Sequence, residues 1–402
     1  MLMRNIFLFC LILLLGGCHT NKPENIASEV IKINPLEAEE FVNLSEIADS
    51  VKCIKLQVDS ADVMGRVREI VIRDKYIYAM DVSQQCVFVF DKEGKFVSKL
   101  NKRGEGPGEY LWMGPVFISD DEDYIEIVEF RRSSSRLMRY SNIDFTFLSE
   151  VPFPDVRFNS CKNNEGYYYF ATQQLDNVVN EKETNAGLII SDSNGRLITL
   201  FDKKIKTNGS SFCPNIESFS RNDKGELFVS LMYDNTFYRL EGNDYTPIYS
   251  IDFGKYGMDN SIGKESVQEQ LKYVKSTGDL AFFPVLNVEN DNILSFSYYY
   301  KTEEDRMFRE SDFRQYVKMK NSGRVYHVRR IKNDLTDFPK YLYISSYFWN
   351  CAHEVWYKDY LVDIILPDQY LESIGDDKVL IDGIGEITAE DNPIIVMAKF
   401  KE

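Results

Sequence analysis

Residues 76–100 read YIYAMDVSQQCVFVFDKEGKFVSKL. Three apolar runs, 76–81, 87–90 and 95–100, are parted by a polar loop and by the turn Asp91-Lys92-Glu93-Gly94. Aromatic and β-branched side chains of this kind fit a pleated, half-buried surface. Gly94 supplies the positive φ that a hairpin turn demands. The stretch predicts three short strands in succession.

The same rhythm recurs along the chain. Residues 124–130 are followed by 136–140 and 145–148, and residues 167–171 by 187–191 and 196–201. Residues 227–232 lead to 236–240 and 245–251, and residues 293–299 to 313–319 and 324–329. The matching positions Ile77, Ile125, Tyr168, Phe228 and Leu294 lie 48, 43, 60 and 66 residues apart. The shorter spacings suit a four-stranded propeller blade of roughly 40–50 residues, and the longer ones carry inserts. One insert, 266–275, puts Val267, Leu271 and Val274 on one face at helical spacing.

A sixth unit is split. Residues 393–400 read as one inner strand, and 51–56 near the N-terminus as its outer partner. Closing a ring with strands from both ends removes the exposed edge of an open sheet. The expected fold is all-β: a six-bladed β-propeller with short helical insertions, its N- and C-terminal strands closing the last blade. A seventh blade follows if 341–347 forms a sheet of its own. A β-sandwich is the competing architecture.

Directly after the first unit, residues 102–110 read KRGEGPGEY. With VFDKEGKFV at 89–97, this resembles the signature of the six-bladed β-propeller lipoproteins of gut anaerobes. In that family a "vFDkxGkfv" hairpin leads into an "RGxGPGEY" loop. EDNPIIV at 390–396 resembles the family's closing strand, and MGRV at 64–67 the stretch before its first blade. The likeness covers roughly residues 40–402 and is strong at the two ends. It implies the fold and an envelope location, often beside polysaccharide-uptake systems. It implies no reaction and supplies no catalytic residue.

The N-terminus reads as a processing segment. Arg4 precedes the apolar run IFLFCLILLL at 6–15. That run is short of the ~20 residues of a spanning helix and fits a signal-peptide core. Leu15-Gly16-Gly17-Cys18 resembles the bacterial lipobox. The resemblance implies that Cys18 receives a diacylglycerol, becomes the new N-terminus and holds the protein on a lipid bilayer. His19 stands where inner-membrane retention calls for aspartate, so the outer membrane is the expected destination. The chain divides into a signal peptide (1–17), a lipidated tether (18–35) and one propeller domain (36–402). A cleaved signal with a chance cysteine is the competing reading.

Composition narrows the function. The formal charge of −16 repels phosphate backbones, so nucleic acid is not an expected partner. Beyond Cys10 and Cys18, the cysteines Cys53, Cys86, Cys161, Cys213 and Cys351 have no CxxC or metal-type spacing. They read as small buried side chains. The three histidines, His19, His327 and His353, carry no catalytic or zinc motif around them. No cofactor or metal is expected.

Loops that join the second and third strands of a blade, or one blade to the next, gather on one face of a propeller. Function usually sits on such loops, because a rigid scaffold lets them vary. The ligand-binding candidates there are Arg103, Gly104, Gly106, Gly108, Glu109, Tyr110, Arg131, Arg132, Arg136, Gln173, Tyr233 and Asp234. The glycine loop can offer bare N–H groups to an anion. Alternatively, Arg103 and Glu109 tie blade one to blade two. The three arginines suit carboxylates, as on uronic acids, sialic acids or peptide termini, or else pair with acids such as those at 120–123. The expected role is binding of a glycan, a peptide or an envelope protein. The alternative is a glycan hydrolase or lyase, which would bring two carboxylates or a Tyr–Arg pair together in the axial funnel with perturbed pKa values.

Overall fold

In Ile77–Asp81 and Cys86–Phe90 all ten residues are buried. Successive side chains of a strand point to opposite faces, so both faces of this sheet must be covered. Ile77, Ala79, Phe88 and Phe90 pack toward one neighbouring sheet, and Tyr78, Met80, Val87 and Val89 toward the other. A sheet covered on both faces cannot belong to a two-layer sandwich. It asks for sheets stacked round an axis.

The computed structural model describes residues 27–58, 64–131, 134–173, 175–192, 194–201, 217–302, 312–345 and 350–401. The signal segment, Cys18, His19, Arg132 and Cys213 lie outside the described residues. Six blades of antiparallel strands form a ring. Blade one is Val67–Ile72, Ile77–Asp81, Cys86–Phe90 and Phe96–Leu100, and blade two is Met113–Ile118, Tyr124–Phe130, Ser135–Ser141 and Phe147–Phe153. Blade three is Ser160–Asn164, Tyr167–Ala171, Leu188–Ser191 and Leu197–Leu200. Blade four is Phe219–Arg221, Leu227–Ser230, Thr236–Glu241 and Asp244–Asp252, and blade five is Leu280–Glu289, Ile293–Lys301, Asp312–Met319 and Val325–Lys332. Blade six is Trp356–Tyr357, Tyr360–Ile365, Ile394–Phe400 and the returning N-terminal strand Ala48–Lys55. One apolar cluster lies at each of the six junctions between neighbouring blades.

The closing sheet joins the two ends of the chain. Ile394–Phe400 pairs antiparallel with Ala48–Lys55, with Cys53 opposite Val396. Ile394, Val396, Ala398 and Phe400 face blade five, while Ile395 and Met397 face blade one. The Gly94 hairpin locks onto this seam. Gln57 donates its N–H to the Gly94 carbonyl at 2.8 Å. Gly94 has φ +81°, and a Cβ there would lie 2.4 Å from the Lys55 carbonyl oxygen.

Three expectations change. The strands read from the sequence are the second, third and fourth of each blade, and an innermost strand precedes them. Blade six takes its first two strands from 356–365, ahead of the closing strand. Tyr341–Leu342 pairs with the outer strand of blade five and founds no seventh blade. In addition, Glu29–Lys32, within the stretch read as tether, runs parallel to Asp244–Asp252, and Glu39–Asn43 runs parallel to Val325–Lys332. These extra strands cover the outer edges of blades four and five. The insert forms the helix Val267–Ser276, capped by Ser266. Gln270 on its inner face accepts a hydrogen bond from the Tyr233 hydroxyl at 2.6 Å.

The seam can be tested by trimming it. Ile395 is fully buried, so Ile395→Ala should cost about 2–5 kcal/mol in urea unfolding. A cost near zero would mean that the closing strand does not join its neighbours as described. In blade five, His327 Nε2 lies 2.7 Å from the Tyr298 hydroxyl. Burial, helped by Arg314, pushes His327 down to about 4 from 6.5. Between these pH values the unfolded chain binds the extra proton, so stability present above pH 6.5 is lost as pH falls through 4. His327→Gln should lose less stability than the parent on going from pH 7 to 4.5. A difference on the order of 2 kcal/mol in denaturation midpoints is expected, after allowance for partial exposure.

Candidate functional site

The innermost strands surround the axis, and their inward side chains line a channel. Its larger chamber has a volume of about 320 Å³ and its smaller one about 80 Å³. Glu69, Val116, Lys162 and Glu217 border both chambers. Lys162 Nζ stands 2.9 Å from Glu69 and 3.9 Å from Glu217. Blades one, three and four are thereby drawn together at the waist of the channel.

The larger chamber opens where first strands turn into second strands. Arg73, Asp120 and Glu165 come from such turns, Arg221 ends the first strand of blade four, and all four line it. Ala352–His353 adds a short strand parallel to the inner strand of blade one. It delivers Glu354, which pairs with Arg73 at 2.9 Å. Among the described residues, the ion-pair partner of Arg221 is the distant Asp120, at 3.9 Å. Arg139 bonds Glu126 at 2.7 Å and lies 4.1 Å over the Tyr124 ring. His353 sits beside these groups, buried, with its ring nitrogens 3.0 and 3.2 Å from the carbonyls of Cys351 and Val362.

Electrostatics fix these charges. Burial alone would lower Lys162, but Glu69 and Glu217 outweigh it and hold the ammonium above the usual lysine range. Burial alone would raise Glu354, but Arg73, then Arg221 and Lys162, hold its carboxylate below the usual range. Burial keeps His353 below its ordinary value. A carboxyl that is raised, Glu289, has burial as its main cause and does not line the larger chamber. The lining of the larger chamber thus holds four cations, Arg73, Arg139, Lys162 and Arg221, against six carboxylates, Glu69, Asp120, Glu126, Glu165, Glu217 and Glu354.

Of the twelve candidates read from the sequence, the eleven described ones line neither chamber. They sit on the opposite loop face or between blades. Arg103 lies over the Trp112 ring at 5.7 Å and forms no ion pair with Glu109 among the described contacts. Glu109 instead accepts the Gly106 N–H at 2.8 Å, and any Cβ on Gly104 would strike its carboxylate. Gly108, at φ +72°, packs against Phe147, where a Cβ would come within 2.8 Å of the ring. Tyr110 is fully buried between blades one and two and donates to the Gln85 carbonyl at 2.7 Å. Arg131 and Arg136 both bond the buried Glu129, and Arg136 also bonds Glu150. Gln173 is buried. Tyr233 holds the helix through Gln270, and Asp234 accepts from the Tyr238 hydroxyl at 2.9 Å. Arg132 lies outside the described residues.

The channel residues escaped sequence reading because their strands carry little pattern. Ser160–Asn164 reads SCKNN, and Phe219–Arg221 has three residues. A usable signal was present all the same. Each blade needs four strands, so the segment before every recognised strand had to supply an inner one.

A closed six-bladed propeller with a densely charged axial cavity is the class that fold and site define. The chain belongs to the family described as domain of unknown function DUF4934, whose model matches residues 28–399. It is similar to a Bacteroides fragilis protein provisionally described as exported. That likeness has a TM-score of 0.66 at 18% identity and covers 93% of this chain and 100% of the other. It is also similar to a DUF4221-family protein of Bacteroides vulgatus, with a TM-score of 0.52 at 11% identity, covering 88% of this chain and 97% of the other. No curated protein matches the sequence.

Removing the cation at the waist tests the electrostatic reading. Lys162→Met leaves Glu69 and Glu217 without their shared partner in a confined site. At pH 7 a destabilisation of about 2 kcal/mol is expected, reduced from the buried-pair range because the side chains meet channel water. Adding Glu69→Gln to Lys162→Met should recover part of the deficit, because one unpaired carboxylate is then removed. A deficit that the second substitution leaves unchanged would contradict the pairing.

Proposed function

We propose that this protein is a lipid-anchored lipoprotein of the bacterial envelope whose propeller captures a small ligand in its axial cavity. One observation carries the binding role: a preformed chamber of about 320 Å³, walled by inner strands and lined with fixed donors and acceptors. Ligand sites are typically pockets of ~300–1,000 Å³ with a few convergent polar groups. Catalysis is the weaker reading. The channel cations and carboxylates are tied to each other, and Glu354 is held as an anion rather than as a proton donor.

The lipobox-like Leu15-Gly16-Gly17-Cys18 supports the anchor, and His19 supports the outer membrane. The Bacteroides fragilis neighbour, itself described provisionally as exported, agrees with an envelope location. The resemblance to propeller lipoproteins found beside polysaccharide-uptake systems supports a role in such uptake.

Cys18→Ala should move the protein from the membrane fraction to the soluble fraction and abolish incorporation of a palmitate analogue. Retention of both membrane association and label would end the lipid-anchor reading. For the binding role, a thermal-shift panel of neutral and charged sugars, amino acids and short peptides should raise the melting temperature with at least one class.

A further inference from the structure

The geometry points to a neutral, hydroxyl-rich ring compound, a mono- or disaccharide, as the ligand of the larger chamber, with Asn287 and Ser220 as binding residues. The inference rests on the binding role proposed above and names its ligand class.

Asn287 lies on the chamber wall and is 2% exposed. It belongs to the inner strand of blade five, where Leu286 pairs with Phe296 and Val288 with Ser295. Asn287 is therefore the extra residue of a β-bulge, a device that re-aims one side chain out of the ladder. One end of its amide bonds the Ser297 hydroxyl at 3.1 Å, and the other has no partner among the described residues. That holds whichever way round the amide sits, because a hydroxyl serves either end. Ser220, on the inner strand of blade four, also lines the chamber, and its Oγ likewise has no partner. A buried polar group left unpaired costs about 1–3 kcal/mol, so these two positions are built to be met by something polar.

The surrounding charges narrow what that is. Arg73, Lys162 and Arg221 only donate hydrogen bonds, while Glu69, Glu217 and Glu354 only accept. The pairs stand side by side: Lys162 with Glu69 at 2.9 Å and Arg73 with Glu354 at 2.9 Å. A hydroxyl both donates and accepts, so neighbouring hydroxyls on a ring can bridge such a pair without displacing either partner. Arg139 with Glu126 is a third such pair, while Asp120 and Glu165 leave the lining with a net negative charge that repels an anionic ligand. The volume, about 320 Å³, suits a small ring compound.

Isothermal titration of the full lipidated chain tests this, in a detergent without a sugar headgroup. The probes are glucose, galactose, mannose, lactose and cellobiose, with glucuronic acid as the anionic counterpart. At least one neutral sugar should bind, and glucuronic acid at least about tenfold more weakly. Asn287→Leu and Ser220→Ala should each weaken binding about tenfold. Ser220→Ala leaves the bulge alone, so it remains informative if Asn287→Leu does not fold. Glucuronic acid binding as tightly as any neutral sugar overturns this inference and leaves the binding role standing. So does a neutral sugar whose affinity neither variant changes. Silence from every probe, together with no shift across the broader thermal panel, overturns both readings.

Discussion

The fold depends on one sheet that neither end of the chain can complete alone. Ile394–Phe400 is hydrogen-bonded on one side to Tyr360–Ile365 and on the other to Ala48–Lys55. Its side chains alternate between two junctions, with Ile394, Val396 and Ala398 turned to blade five and Ile395 and Met397 to blade one. Without that seam, blade one would expose a face made of Ile77, Ala79, Phe88 and Phe90. Sheets stacked in a line always leave two such faces bare, and closure leaves none.

Closure also dictates the chemistry of the axis. Inner strands converge there, so inward side chains crowd a narrow, partly wet space. Large apolar residues already fill the junctions, and the axis receives charged and amide side chains instead. Charges held this deep are tolerable only when paired, because a lone buried ion costs several kcal/mol. The pairs Lys162–Glu69 and Arg73–Glu354 follow from that requirement. Each of them crosses between segments far apart in sequence, so the same pairs also hold the channel's shape.

The sequence disclosed the strands whose two faces are buried, because such strands are long apolar runs bounded by turns. It disclosed the seam as well, since IIVMAKF reads as a buried strand and VKCIKL at 51–56 offers it a partner. It concealed the inner strands, which are short and half polar, and the channel residues went with them. The arginine loop shows the converse error. Arg131 and Arg136 stood out as unusual in an acidic chain, yet Glu129, two and seven residues away in sequence, had already claimed both. Composition shows that a charge is present and cannot show that it is spent. The loop RGEGPGEY was legible as a motif, and its meaning proved to be packing. Tyr110 plugs the first junction, and Gly108 makes room for Phe147.

The segment ahead of the closing strand serves the same end. Glu29–Lys32 runs parallel to Asp244–Asp252, the fourth strand of blade four, with Glu29 opposite Tyr249 and Lys32 opposite Asp252. Ser28 adds a hydrogen bond, donating to the Ile248 carbonyl at 2.6 Å. Glu39–Asn43 then runs parallel to Val325–Lys332, the fourth strand of blade five. The chain thus covers the outer edges of two blades before Ala48–Lys55 completes the sixth. An outer edge left bare would offer unpaired N–H and C=O groups to another chain. The same N-terminal stretch that closes the ring therefore also blunts two of its edges.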